Sequence, residues 1–154
     1  MQRIALTTGE PAGIGPDLAI LLATQALEAE VITLACPTLL AERAKQLGIH
    51  VNIELFNTKQ QASKNPAGTL KVFPHKLPEA VTAGQLNPAN SHYVLALLDS
   101  AIEGCQQGLF DAMVTCPVQK SVINDAGIHF SGHTEYLAEK TNSEQVVMML
   151  ASDV

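Results

Sequence analysis

Short apolar runs alternate with amphipathic stretches along the first third of the chain. The runs at 3–8 (RIALTT), 30–36 (EVITLAC) and 51–56 (VNIELF) have the length and aliphatic content of buried strands. Two segments with helical periodicity lie between them, at 16–28 and 37–48, and each begins at a proline. The order strand, helix, strand, helix, strand with short links predicts an α/β fold, a mostly parallel sheet covered by helices.

The alternation continues after a polar stretch at 57–68, which we predict to be an exposed loop. The further predicted elements are a strand over 69–74, a long helix from Asn87 to about Gln107, a strand over 111–116, a short helix over 117–127, a helix over 134–141 and a last strand over 145–151. The last strand, QVVMMLA, is typical of a buried strand. A domain rarely finishes on such a strand, so we expect the chain to be one piece of a longer protein.

Composition and charge narrow the function classes. Hydrophobic residues make up 47% of the 154 residues and charged residues 16%, which allows a sizeable core. The net charge of −6 provides no general attraction to nucleic acid or anionic membranes, so an anionic ligand would need a local site. No apolar run is long enough to cross a bilayer, and no signal peptide is visible. The three cysteines lack C-x-x-C spacing, which indicates reduced thiols in a cytoplasmic protein.

The loop TTGEPAGIGPDLA, residues 7–19, is rich in glycine. Gly9, Gly13 and Gly15 follow the pattern G-x-x-x-G-x-G, which matches neither the dinucleotide fingerprint nor the phosphate-binding P-loop. A tight turn before a helix explains these glycines. The alternative is a helix N-terminus whose free N–H groups bind an anion. Glu10 weakens the second interpretation because a carboxylate repels phosphate, but both stay open.

A second loop, TCPVQK at 115–120, follows the strand predicted before it. Pro117 predicts a helix start, which puts Lys120 in or near the first helical turn. A cation there is unfavourable to the helix dipole. Lys120 is therefore either an exposed surface lysine or the partner of an anion. Cys116 has no base near it in the sequence, and we interpret it as structural.

The third loop, 129–134, leads into the helix TEYLAEKT. Here the imidazole of His133 could donate to an anion or shuttle a proton, and the hydroxyl of Thr134 could donate to a phosphate or alcohol oxygen. Alternatively, Thr134 caps the helix and His133 is an ordinary loop residue. His129 and His133 have metal-ligand spacing, but Gly132 argues against one shared helical face. We predict no metal site within this chain.

Each of the three loops follows, or leads from, the carboxyl end of a predicted strand toward a helix N-terminus. In open parallel sheets, ligands bind at that edge. The sequence therefore predicts a ligand site at the carboxyl edge of the sheet, built from several loops.

Four ordered motifs carry a resemblance to a known family. They are TTGEPAGIGPD, VTAGQL, TCPVQKSVINDAGIHFSGHTEYLAE and VVMMLA. Together they resemble the N-terminal half of the 4-hydroxythreonine-4-phosphate dehydrogenases, the PdxA family of vitamin B6 biosynthesis. The resemblance implies a fold like that of isocitrate and isopropylmalate dehydrogenases, truncated here. Residues 1–154 would then be the N-terminal portion of a longer dehydrogenase, with the C-terminal half absent.

The same resemblance implies an activity: NAD-dependent, metal-assisted oxidation and decarboxylation of 4-phosphohydroxy-L-threonine to 3-amino-2-oxopropyl phosphate. His133 and Thr134 match the family's substrate-binding residues in its GHTE motif. The family's ligands for the divalent metal (zinc, magnesium or cobalt) lie in the absent half, so no metal ligand or catalytic residue is carried over. The resemblance also implies a homodimer with its site at the subunit interface, and a fragment that is inactive alone.

Two other hypotheses remain at this stage. A family member could act on a related acid, erythronate or threonate 4-phosphate, because the contacts that distinguish an amine may lie in the absent half. From a different class, the chain could be a non-catalytic phosphate-binding module that is complete at 154 residues.

Overall fold

The computed structural model describes residues 1–152 and shows one parallel sheet of five strands in the order β3-β4-β2-β1-β5. The strands are β1 (Arg3–Thr7), β2 (Glu30–Ala35), β3 (Asn52–Leu55), β4 (Thr69–Pro74) and β5 (Ala112–Thr115). The helices are α1 (Gly15–Leu22), α2 (Pro37–Leu47), α3 (Ser91–Gln106), α4 (Lys120–Asp125) and α5 (His133–Thr141), with a single 3-10 turn at Pro88–Asn90 before α3. The predicted mostly parallel α/β fold is confirmed.

Helices cover both faces of the sheet. Alternate residues of β1 and β2, among them Ala5, Ile32 and Leu34, pack against the apolar side of α3. The opposite face packs against α1 and α2, through residues such as Ile20 and Leu40. Because side chains alternate across a strand, the central strands are apolar on both sides, which is why they appear in the sequence as continuous apolar runs.

The predicted and observed helix boundaries differ most at the end of α1 and at the starts of α3 and α4; α3 begins at Ser91 instead of Asn87 because a 3-10 turn at Pro88–Asn90 precedes it. Helix α1 ends at Leu22, not near residue 28, because residues 23–27 are tied to the segment before β4: the Gly68 N–H donates to the Ala23 carbonyl, and the Leu27 N–H donates to the Asn65 carbonyl. Helix α4 begins at Lys120 rather than at Pro117, with residues 116–119 extended or irregular. Lys120 is thus the first residue of its helix, as predicted.

The segment 57–68 is largely exposed, as predicted, but one of its residues is buried. The side chain of Asn65 lies beside β2, where its Oδ1 accepts from the Val31 N–H at 3.1 Å and its Nδ2 donates to the Val31 carbonyl at 2.8 Å. The amide group thereby takes the place of a neighbouring strand for one residue. These two hydrogen bonds fix the loop at 57–68 against β2.

The predicted last strand over 145–151 is wrong. This segment has no strand pairing, and its apolar side chains are in solvent: Val147 is 78% exposed and Leu150 is 96% exposed. A strand exists only where a neighbouring strand satisfies its N–H and C=O groups, and within residues 1–152 no strand lies beside this one.

No helix of the described residues is long and apolar enough to cross a membrane.

A buried ion triad closes the amino-terminal edge of the sheet. The carboxylate of Glu30, 3% exposed, accepts from Arg3 Nε and from Lys71 Nζ, each at 2.6 Å. Desolvation raises the pKa of Glu30, but the hydrogen bonds from Lys71 and Arg3 outweigh it, so the pKa lies below its usual value of 4.5. Arg3 also donates to the Gln60 carbonyl and Lys71 to Ser63, so the triad joins β1, β2, β4 and the loop at 57–68.

We expect Glu30→Gln to lower the free energy of unfolding by about 3 kcal/mol at pH 7, since it leaves two buried cations without their counter-charge. The depressed pKa means that this stabilisation is present above about pH 4.5 and is lost as the pH falls through the folded-state pKa. Urea unfolding of wild type and variant between pH 3 and pH 7 measures the difference. Glu103→Gln, an exposed carboxylate on α3, is the control and should change stability by less than about 0.5 kcal/mol. The same loss for both variants at every pH would contradict the assignment.

Candidate active site

The carboxyl ends of β1 and β5 lie side by side. The two strands pair in parallel with Thr7 opposite Thr115, so the loops that follow them leave the sheet at the same point. We call residues 8–14 the glycine loop and residues 116–119 the Cys116 loop. Two backbone hydrogen bonds join them to each other and to β1: Cys116 N–H to the Thr7 carbonyl at 2.9 Å, and Glu10 N–H to the Pro117 carbonyl at 3.1 Å. The predicted convergence of these two loops is confirmed.

Two glycines, Gly9 in the glycine loop and Gly15 at the start of α1, are needed for close backbone packing. A Cβ atom at Gly9 would lie 2.3 Å from the Pro117 carbonyl oxygen, and Gly9 has a φ of +65°. A Cβ atom at Gly15 would lie 1.8 Å from the Thr8 carbonyl oxygen and 2.9 Å from Cys116 Cβ. Both distances are far inside van der Waals contact. The glycines therefore serve the packing of the two loops.

Several N–H groups of the glycine loop are already used inside the protein. Glu10 donates to Pro117, Gly13 donates to the Glu10 carbonyl at 3.0 Å, and Ala12 donates to Glu10 Oε1 at 3.0 Å. The Glu10 carboxyl is 6% exposed, and burial raises its pKa, an effect that the Ala12 N–H partly offsets. These contacts favour the tight-turn interpretation over an anion cradle, and they give Glu10 a structural contact.

Two contacts from outside hold the glycine loop in place. Arg43 of α2 forms a two-point ion pair with Asp17 at the start of α1, at 2.8 and 2.6 Å, and its Nη2 also donates to the Gly13 carbonyl at 3.0 Å. From the other side, the Gly84 N–H donates to the Ala12 carbonyl at 2.8 Å. The VTAGQL motif, which contains Gly84, is thus part of the same edge.

The third predicted loop reaches this edge through Lys120. Residues 129–132 lead into α5, whose N-cap is Gly132 without a side-chain cap. A Cβ atom at Gly132 would lie 3.3 Å from Lys120 Nζ and 3.0 Å from Glu135 Oε2. The Lys120 side chain therefore extends across the backbone of Gly132, directly before His133. The structure brings Lys120 and His133 together, which sequence spacing alone did not show.

His133 and Thr134 are the first two residues of α5, and both are half-buried. Nε2 of His133 is buried and has no hydrogen-bond partner within the described part of the chain. Burial lowers the pKa of His133, and the nearby charge of Lys120 lowers it further, so the imidazole is neutral at pH 7. Thr134 does not cap the helix, because Gly132 is the N-cap. The hydroxyl of Thr134 is therefore not used in capping.

Two residues that the sequence analysis did not single out position this pair. Asn124 of α4 binds both the N–H and the carbonyl of Phe130, each at 3.0 Å, and so closes the turn between α4 and α5. Asp99 of α3 accepts from the Tyr136 hydroxyl at 2.7 Å and pairs with Lys140 at 2.9 Å, which fixes α5 on α3. In the sequence, Asn124 stands shortly before a turn that contains glycine, where an Asn side chain often binds nearby backbone groups. This pattern could have indicated the contact between Asn124 and Phe130.

Cys116 is buried between the glycine loop and β5. Its thiol donates to the Gly15 carbonyl at 3.9 Å, and burial raises its pKa. A raised pKa makes the reactive thiolate scarce, which agrees with a structural role. No group of three His, Cys, Asp or Glu side chains within residues 1–152 is arranged to hold a metal ion, and His129 is exposed.

A cleft of about 690 Å³ opens along the same edge, at the carboxyl ends of β2 and β4. Cys36, His75 and Val81 are among its lining residues. Nε2 of His75 is buried and makes no hydrogen bond to a described residue, and burial lowers the pKa of His75. Val81 lines the cleft, and Gly84, three residues later, donates to the glycine loop. The segment that contains both residues therefore connects the cleft with the glycine loop.

Comparison with known proteins finds a family model and several relatives that match this chain. The family model described as "Pyridoxal phosphate biosynthetic protein PdxA" matches residues 27–154. A 4-hydroxythreonine-4-phosphate dehydrogenase of Stutzerimonas stutzeri is 55% identical over 154 residues, 98% of this chain and 46% of that protein. One of Sodalis glossinidius is 51% identical over 152 residues, 99% of this chain and 46% of that protein.

A solved structure agrees on the fold. The crystal structure of a 4-hydroxythreonine-4-phosphate dehydrogenase from Burkholderia phymatum superposes with a TM-score of 0.89 at 24% identity, over 99% of this chain and 47% of that one. This chain therefore spans about half the length of the relatives that it matches.

The packing of the glycine loop can be tested with a matched pair of substitutions. Gly9 and Gly48 have nearly the same φ, +65° and +68°, but a Cβ at Gly48 would meet nothing within 4 Å. We expect Gly48→Ala to lower the free energy of unfolding by about 1 kcal/mol, the backbone cost alone. Gly9→Ala should lose at least about 2 kcal/mol more, because the Cβ collides with Pro117. Urea unfolding measures both, and equal losses would show that the close approach is not a constraint.

Proposed function

Because the chain belongs to the PdxA family of pyridoxal phosphate biosynthetic proteins, we propose that it is the N-terminal portion of a cytoplasmic, homodimeric 4-hydroxythreonine-4-phosphate dehydrogenase. The observation that carries the proposal is the 51–55% identity to proteins of that name across nearly the whole chain. The substrate would be 4-phosphohydroxy-L-threonine. Oxidation of its alcohol to a ketone releases a hydride, for which NAD is the acceptor, and the resulting β-keto acid loses CO2 to give 3-amino-2-oxopropyl phosphate.

In this proposal, His133 and Thr134 bind the substrate. The neutral imidazole of His133 has a buried Nε2 with no partner among the described residues, so it can exchange a hydrogen bond with a substrate oxygen. The hydroxyl of Thr134, one residue further into α5, can donate to a second oxygen. Asn124 and Asp99 support the pair by fixing the start of α5.

The residues that would hold NAD and the divalent metal are proposed to lie in the part of the relatives' length that this chain does not span. The N–H groups of Glu10, Ala12 and Gly13 are donated within the protein, so the glycine loop does not fit a dinucleotide diphosphate. The described residues contain no cluster of metal-ligating side chains. When bound, a metal of this kind supplies Lewis-acid polarisation of the substrate oxygens.

The test is an assay of NAD reduction with 4-phosphohydroxy-L-threonine and a divalent metal, run on the whole product of the gene that encodes this chain. We expect turnover for that product and none for the 154-residue chain alone. Erythronate 4-phosphate and threonate 4-phosphate are assayed in parallel. A preference for either acid would assign the protein to the related reaction, and phosphate binding without any NAD reduction would favour a binding module.

We expect His133→Ala and Thr134→Val each to lower kcat/KM about 10- to 100-fold, which is the loss of one hydrogen bond to a charged substrate. His129→Ala is the matched control: an exposed histidine four residues away whose removal should change kcat/KM by less than about twofold. Steady-state kinetics on the whole gene product measures all three. Equal losses for His129→Ala and His133→Ala would remove the distinction on which the assignment rests.

A further inference from the structure

Lys120 is a cation that forms no ion pair with a described residue. It is exposed, and the ion pairs of residues 1–152 do not include it. It is also the first residue of α4, where a positive charge is disfavoured by the helix dipole. Lys64, Lys71 and Lys140 are paired with carboxylates, whereas the ion pairs of residues 1–152 include neither Lys120 nor Lys45, Lys59 and Lys76; what distinguishes Lys120 is its place beside Gly132. A cation kept in this position without a partner is suited to a ligand that brings the negative charge.

The Lys120 side chain is directed at the residues proposed to bind substrate. Its Nζ and Cε would lie 3.3 and 3.4 Å from a Cβ atom at Gly132, so the end of the chain rests over the residue that immediately precedes His133. Gly132 is buried and has no side chain in the way. The ammonium of Lys120 therefore lies at the start of α5, whose first two residues are His133 and Thr134.

The three groups have complementary chemistry. Lys120 supplies a full positive charge and three N–H donors, while His133 is held neutral, so the region has one cation rather than two repelling ones. Thr134 adds a hydroxyl donor. An oxyanion has several acceptor oxygens, and it is the ligand that a lysine ammonium beside neutral donors binds best.

We propose that Lys120 Nζ binds an oxyanion of the substrate, its phosphate or its carboxylate, next to the groups bound by His133 and Thr134. This inference rests on the proposed function for the identity of the substrate. It assigns Lys120 a substrate-binding role that Gly132 makes sterically possible.

Glu135 is the competing charge. Its Oε2 lies 3.0 Å from the same added Cβ at Gly132, but it is not within ion-pair distance of Lys120. Glu135 is exposed and lies in the first turn of α5, where an acidic residue is favourable to the helix dipole. Because it opposes an incoming anion, Glu135→Gln should strengthen oxyanion binding about two- to threefold.

The first experiment measures binding without turnover. Inorganic phosphate is titrated into the whole gene product at fixed ionic strength, and the dissociation constant is read from NMR shifts of backbone N–H groups. For Lys120→Met we expect binding to weaken about tenfold or more, and Lys120→Arg should keep most of the affinity. Lys59→Met removes an exposed lysine in the loop after β3 and serves as the matched control, with a change below about twofold. Circular dichroism confirms that each variant is folded.

The second experiment identifies the oxyanion. KM is measured for 4-phosphohydroxy-L-threonine and for its unphosphorylated counterpart, with wild type and Lys120→Met. A rise of about 10- to 100-fold only for the phosphorylated substrate assigns Lys120 to the phosphate. A similar rise for both substrates assigns it to the carboxylate, even if inorganic phosphate binding is unchanged.

The inference is overturned if Lys120→Met leaves both KM and phosphate binding within twofold of wild type, or if only kcat falls. The outcome is separable from that of the proposed function. If the wild-type protein reduces no NAD, the proposed function fails and the carboxylate assignment fails with it. The phosphate titration then decides: weaker binding in Lys120→Met supports an oxyanion-binding role, and unchanged binding overturns the inference.

Discussion

The close approach of two backbones determines the geometry of this edge. The glycine loop after β1 lies directly on the residues that follow β5, and the contact leaves no room for a side chain at Gly9 or Gly15. Because β1 and β5 are neighbours in the sheet, this contact also fixes the Cys116 loop and the path towards α4. Lys120 begins that helix, and Asn124 within it holds the turn before His133. The position of His133 and Thr134, proposed above to bind substrate, thus depends on a backbone contact that only glycines allow.

The amino and carboxyl edges of the sheet differ in how their charged groups are paired. At the amino edge, the Glu30 carboxylate is buried between two cations, Arg3 and Lys71, and forms an ion pair with each. At the carboxyl edge, the buried Glu10 carboxyl has a raised pKa, His133 has a lowered one, and Lys120 forms no ion pair with a described residue. Satisfied ion pairs are typical of structural sites, whereas perturbed or unmatched groups concentrate where a ligand completes the arrangement. This contrast supports placing function at the carboxyl edge independently of any family resemblance.

Much of the fold could be predicted from the sequence because its causes are local. Continuous apolar runs and proline-marked helix starts identified all five strands and the long helix. The errors arise where contacts between residues far apart in the sequence determine the local structure. Helix α1 stops at Leu22 because Asn65 and Gly68 hold the following residues, which no local pattern shows. The motifs identified His133 and Thr134, but the approach of Lys120 to Gly132 depends on the turn between α4 and α5. That turn is visible only in three dimensions.

The exposed run from Val146 to Leu150 has a consequence for how this chain must be handled. Five consecutive apolar residues without a charge, all in solvent, have the composition of segments that pair edge to edge between molecules. In a cell, such a segment is also what holdase chaperones capture on a nascent polypeptide. The 154-residue chain produced alone will therefore be limited by self-association before it is limited by thermodynamic stability, and its yield will depend on how quickly this run is covered.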